Sequence, residues 1–256
     1  MIFENNYLTF IFERFYKKEV NLNNLIFLRP VFEYNFKKLN DPIIAEIKKG
    51  DDFSDFFIKK SENIGRFSAC KTFQQAKDLT DLVISTDGFL PFEEFAIFAN
   101  EILEKYNVAY LETEYNDVIS NSQSSRAFLE AEVSGVAYLE YSAINDGLTR
   151  EDHSAMDGII LPINHSFWKT HTPPNGWNCR CEAIPVSEFE EDFRLTKSKE
   201  LQEKTIEINK YFAKNPEFAY NPAKVNWVFK ESGSGKHNYF KVPTEFKEAK
   251  SVNFNL

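Results

Sequence analysis

The spacing of apolar positions changes character near residue 135. Before it, Phe92, Phe95, Ile102, Leu103 and Tyr106 approximate a 3.6-residue period, with Phe98 and Ala99 filling the same stripe, which predicts an amphipathic helix. Pro91 suits its first turn, and Glu93 and Glu94 suit the positive end of its dipole. A second helix is predicted from Val108 to about Glu132. It buries Leu111, Tyr115, Val118 and Ile119, presents Glu112, Glu114 and Asp117 on a solvated face, and ends at Ser134-Gly135. Residues 65–79 lead into a further helix from about Thr72. Residues 1–60 cluster aromatic and basic side chains without a sustained period, which predicts short helices or extended arms. Asp41-Pro42 favours a break there, with one or two helical turns at 43–49 and again at 53–60.

After Gly135 strands are predicted over residues 136–144, 159–162 and from Cys179 to about Val186, with the turn Asn145-Asp146-Gly147 closing the first. Thr149 and Asp152 have capping-box spacing ahead of a short helix through His153 and Met156 that Gly158 stops. A turn cluster at 173–176, a polar helix at 197–213 and an irregular tail with Asn221-Pro222 complete the chain. The fold class is therefore α+β: an N-terminal helical region with long helices packed on a compact strand-rich C-terminal module. The module should lie against the helices of 91–133, burying Phe95, Ile102, Leu111, Tyr115 and Trp168.

Composition narrows the function classes. The formal net charge is -9, and residues 61–150 carry nearly all of it, with 15 acidic against 6 basic side chains. A protein that wraps nucleic acid needs the opposite bias to neutralise phosphates, so extensive DNA contact is excluded. No run of 18 apolar residues exists to span a membrane, and the first residues lack the basic and apolar regions of a signal peptide. Three cysteines are too few for a disulfide framework; the expectation is synthesis and residence in a reducing cytoplasm. The 26 Phe and 11 Tyr are read as core filling and codon bias.

Candidate chemistry concentrates between residues 149 and 181, where His153, His165, His171, Cys179 and Cys181 fall together. Cys179 and Cys181, at i and i+2, project from one face of an extended segment, leaving Arg180 on the other, free to bond a carboxylate. Thiolate and imidazole are preferred zinc ligands, so Cys179, Cys181 and His153 form a candidate structural zinc site, with His171 or Asp157 as fourth ligand. The alternative is a packed cluster of apolar thiols and a hydrogen-bonded histidine, since a C-x-C pair lacks the two-residue spacer of zinc knuckles. No orienting group marks a Cys–His nucleophile, and no catalytic residue is assigned. The segment 232–236 lacks the first glycine and the Ser/Thr of a phosphate loop. Glu188-Phe189-Glu190 resembles the E-x-E of arginine-directed ADP-ribosyltransferases.

One likeness is more extensive. Arg150, His153, Asp157, Gly158, Phe167, Trp168, the run Pro173, Pro174, Asn175, Gly176, and then Cys179, Arg180, Cys181 occur in an order that resembles the phage Mu F-like head morphogenesis (minor head, minor capsid) family. Phe67-Ser68-Ala69 and Lys71-Thr72-Phe73-Gln74 look like its upstream segment. The likeness covers about residues 65–190, and departs from the family where His171 replaces an aromatic and Ala143-Ile144 a more polar pair. It implies a head morphogenesis domain at 65–190, an N-terminal arm or helical extension at 1–64, and a C-terminal helix and irregular tail at 191–256. It further implies a low-copy protein near the portal, acting in capsid assembly or early genome delivery. Its partners would be portal, scaffold or major capsid protein; the charge balance leaves DNA contact possible but not extensive, and the lack of a long apolar run implies no membrane partner. Its location would be the host cytoplasm during assembly and then the virion head. Family members fused to toxin domains suggest the alternative of an ADP-ribosyltransferase-like effector, for which Tyr141-Ser142 and Glu188 or Glu190 are the nearest matches.

Overall fold

The computed structural model describes residues 3–85 and 90–242, so the end of the expected tail, 243–256, lies outside the described residues. The chain is mixed α+β and divides into two compact units, each assembled from separate stretches. One holds Met1–Asp41, Glu62–Glu114 and Asn238–Leu256; the other holds Pro42–Ser61 and Tyr115–His237.

Residues 1–60 are more helical than their pattern predicts. Helix α1 (Asn5–Tyr16) buries Leu8, Ile11, Phe12 and Phe15 at helical spacing. Helix α2 (Arg29–Ala45) runs straight through Pro42, where a break was expected. A proline inside a helix costs about 3 kcal/mol, but Leu39 and Ile43 on either side are fully buried, and each such side chain returns about 1.5–3 kcal/mol. Helix α3 (Ser54–Ser85) begins far ahead of Thr72 and absorbs the separate turns expected at 53–60. Its period is masked in the sequence because Lys60, Asn63, Ser68, Lys71, Thr72 and Gln75 occupy buried positions among Phe57, Ile64, Phe67 and Cys70.

Helices α4 (Phe92–Glu104) and α5 (Tyr110–Val133) are joined by one π-turn, Lys105–Ala109, so the two expected helices form a continuous rod. The buried stripe of α4 is Phe95, Ala99 and Leu103, with Ile102 only half-buried. On α5 the inward face differs from the expected one. Glu114, Asp117, Val118, Asn121, Ser122 and Ser125 are buried at three- and four-residue spacing, whereas Tyr115 is exposed. The acidic face is thus largely interior, because side chains from neighbouring segments offer it partners.

The strand module is a three-stranded antiparallel sheet of order β2-β1-β3, formed by β1 (Tyr138–Ser142), β2 (Ile159–Pro162) and β3 (Glu182–Val186). Leu139 faces Leu161, and Tyr141 faces Ile159 and Ala183. Leu139, Tyr141, Ile159 and Leu161 point into a core shared with Phe167, Trp168, Phe212 and, from α5, Phe128 and Ala131. The second half of α5 therefore covers this module. Phe95, expected there, packs instead within the first unit against Phe12 and Tyr16. The short helix α6 (Glu151–Ala155) lies between β1 and β2. The expected polar helix is two, α7 (Ser198–Lys204) and α8 (Ile206–Lys214), parted at Thr205.

In the first unit Lys71 and Glu114 are both buried and directly paired. Burial pushes the Glu114 carboxyl up from 4.5 to about 7, against the opposing pull of Lys71 and of a hydrogen bond from Tyr239. A carboxyl whose pKa is raised on folding adds stability that is full below its unfolded value and is lost as pH rises through the folded one. We expect wild-type unfolding free energy to fall by about 2–3 kcal/mol between roughly pH 4.5 and 7 relative to Glu114→Gln. Urea denaturation across that range checks it, and parallel pH profiles for the two proteins would assign the titration elsewhere.

Candidate functional site

The motif residues converge in the second unit because three local devices direct the chain. The first is α6. The predicted capping box does not form: Thr149 bonds Asp146 Oδ1 at 3.2 Å, and the Asp152 carboxylate accepts from the His153 amide at 3.0 Å. Arg150 occupies the N-cap position without a side-chain cap. The helix is stopped by Gly158, whose φ of 71° suits glycine and whose amide donates to Tyr141 O at 2.9 Å, tying α6 to β1. His153 is thereby turned inward.

The second device is the Pro173-Pro174-Asn175-Gly176 turn, which contains a cis Pro173-Pro174 bond. Asn175 is fully buried, accepting from Tyr141 Oη at 3.1 Å and donating to Thr172 O at 3.2 Å. Space at Gly176 is tight: a Cβ there would lie 3.0 Å from Arg150 Nη1 and 3.2 Å from Tyr211 Oη, so these side-chain tips would have to give by a few tenths of an ångström. Arg150 in turn donates to Trp177 O at 2.6 Å. The third device is α5. Its Ser120 hydroxyl donates to Cys179 O at 3.0 Å, Ser124 donates to Pro173 O, and Asn116 donates to Asn178 Oδ1 at 3.1 Å. Strand β3 starts at Glu182, so Cys179 and Cys181 lie just before it rather than within it; the extended backbone still alternates their side chains with that of Arg180.

The outcome is a buried trio. His153 Nδ1 lies 3.5 Å from Cys179 Sγ and 3.6 Å from Cys181 Sγ, and the three donor atoms all fall within 4.8 Å of one another. His153 Nε2 is buried with no hydrogen-bond partner among the described residues. The thiols share a hydrogen bond, which together with burial pushes Cys179 up and, against the effect of burial, lowers Cys181. Arg180 points outward and holds Asp146 through two 2.7 Å bonds, which keep that carboxyl well below the usual range. A space of about 20 Å³ adjoins the trio, lined by Thr149, Arg150, His153, Asn178 and both cysteines among others. A wider groove of about 930 Å³ runs between α5 and residues 177–185.

Neither suggested fourth ligand joins the trio. His171 stacks on Phe167 at 4.5 Å, with Nδ1 2.9 Å from Thr170 Oγ1 and Nε2 3.2 Å from Asn209 Oδ1. Asp157 accepts from the Ala143 amide at 2.8 Å and from Asn145 Nδ2 at 2.6 Å, which staples the turn after β1. His165 accepts from the Phe167 amide at the start of a 3₁₀ turn, and Phe167 and Trp168 are core. Glu188 and Glu190 sit on a surface turn around Phe189, which is 91% exposed, and Glu190 bonds the Ser187 amide. Segment 232–236 is a bend followed only by a single 3₁₀ turn. Sequence reasoning missed Asn116, Ser120 and Ser124, although their four-residue spacing is the signal of a polar stripe on one helix face.

Comparison with known proteins places this region. Residues 70–184, somewhat under half of the chain, match the family model described as Phage Mu protein F like protein. The putative capsid assembly protein F of Escherichia phage Mu is 44% identical over 50 residues, which are 20% of this chain and 11% of that protein. The Mu-like prophage FluMu F protein of Haemophilus influenzae is 42% identical over 52 residues, 20% of this chain and 13% of that protein. The aligned stretches thus span only a small part of the length of these curated relatives. No solved structure matches the chain.

Asn175 offers a test of how tightly the turn is held. Asn175→Ala removes both bonds, leaving the Thr172 carbonyl without this donor and the Tyr141 hydroxyl with only Cys181, and should lower stability by about 2–3 kcal/mol. Tyr141→Phe removes the hydroxyl's bonds to Asn175 and Cys181 but leaves Asn175 its bond to Thr172, and should cost about 1–1.5 kcal/mol. Urea midpoints of the two variants check the ordering; equal, near-zero losses would show that the turn does not depend on this bond.

Proposed function

From the premise that residues 70–184 are a Phage Mu protein F-like segment, we propose that the chain acts in head assembly of a tailed phage or prophage. The observation that carries this reading is the family match itself, supported by the capsid-assembly name of the phage Mu relative. In this reading residues 65–190 are the head morphogenesis domain, flanked by a helical extension over 1–64 and a C-terminal helix and tail over 191–256. The protein works in few copies beside the portal, binding portal, scaffold or major capsid protein, first in the host cytoplasm and then in the virion head. Its acidic balance suits protein contacts better than DNA wrapping. The role in this reading is structural: Glu188 and Glu190 lie on an exposed turn, and among the described residues His153 Nε2 has no hydrogen-bond partner that would orient the ring as a base. Among the described residues no helix is long and apolar enough to cross a membrane.

Two outcomes are expected. In the phage or prophage genome that encodes the chain, an in-frame deletion should abolish infectious particles and leave aberrant or unfilled heads in electron micrographs, with rescue by the wild-type gene in trans. Normal heads and titre from the deletion would sink the assembly role. The purified chain should leave NAD intact, and NAD consumption that Glu190→Ala abolishes would favour an effector enzyme instead.

A further inference from the structure

We propose that His153, Cys179 and Cys181 bind one zinc ion, with a water as the fourth ligand. The two nitrogen-to-sulfur separations are those of a coordination sphere. With Zn–S near ~2.3 Å and Zn–N near ~2.0–2.1 Å, a tetrahedral ion sets its sulfur and nitrogen ligands about 3.5–3.6 Å apart. His153 Nδ1 stands 3.5 Å from one sulfur and 3.6 Å from the other. A hydrogen bond accounts for this poorly, because Nδ1 has a single in-plane direction for a proton or lone pair and two sulfurs at nearly equal range. An ion between the three atoms satisfies that one direction and both sulfurs at once.

The donor set selects the metal class. Two thiolates and one imidazole suit zinc, whereas calcium and magnesium require oxygen ligands. On binding, the thiol protons leave to solvent and the two sulfurs coordinate as thiolates. His171 and Asp157 are committed to other partners, so the protein supplies three ligands. The adjoining space of about 20 Å³ is enough for one water, which needs roughly 10–15 Å³. A metal here would join α6 to the segment that Ser120 holds on α5, with no need for catalysis. The site stands apart from the assembly reading, and either can fail alone.

The test uses the full chain, purified under reducing conditions without chelator. Elemental analysis should find about one zinc per chain, and the thermal midpoint should drop when the zinc is stripped. Refilling the stripped protein with cobalt should give a thiolate-to-cobalt charge-transfer band and the strong visible bands of a four-coordinate ion. Cys179→Ser and Cys181→Ser should each lose the metal or weaken it at least roughly tenfold, while Cys70→Ser should retain it. Should either serine variant fail to fold, the wild-type measurements decide alone. Less than about a tenth of an equivalent of zinc together with no cobalt–thiolate band on titration would overturn the site, as would loss of the metal in Cys70→Ser.

Discussion

Helix α5 buries a polar face, and much of the structure follows from the need to give most of its side chains a partner, Ser122 Oγ being left without one among the described residues. An unpaired buried polar group costs about 1–3 kcal/mol, a charged one more. Glu114 meets Lys71. Asn121 accepts from Lys60 at 2.6 Å and donates to Tyr220 at 2.8 Å. Arg126 is held by Glu46 and Asp51. Residues 42–61 and the segment carrying Tyr220 are thereby recruited to the second unit by specific bonds as well as by apolar contact. A similar relay operates in the first unit, where Asn35 donates to Asn107 and Asn107 to Gln75.

The same helix places the candidate metal site. Ser120 and Ser124 bond carbonyls of Cys179 and Pro173, so the turn and the C-x-C segment dock on α5 through their backbones. This leaves the cysteine side chains free to face α6. Arg150 closes the arrangement from the other side by bonding Trp177 O above Gly176. The exposed Arg180–Asp146 pair, though bidentate, is screened by solvent, and its role is orientation more than stability. Each contact is small, yet together they leave the trio little room to move.

Legibility varied with the physical signal. Residues 136–162 were legible because alternating strands, a glycine stop and short turns are local effects, and they appear as β1, α6 and β2. The trio was legible because i, i+2 alternation and turn chemistry constrain direction whatever the packing. Residues 1–85 were not. Pro42 and the buried polar positions of α3 contradict the local preference, and only burial of Leu39, Ile43, Phe57 and Phe67 reverses it. The face of α5 was misplaced for the same reason: hydrophobicity alone turned Tyr115 inward and Glu114 outward.

What the sequence by itself determined is the α+β class, the order of the motif residues and the convergence of His153 with Cys179 and Cys181. These rest on backbone preferences that act within a few residues. Tertiary structure alone decided that Glu114 and Asp117 are interior, that His171 and Asp157 serve packing and a turn, and that Ser120 and Ser124 anchor the loop. The physical reason is that a polar group's position depends on whether a partner waits there, and most of those partners lie from 12 to 59 residues away along the chain.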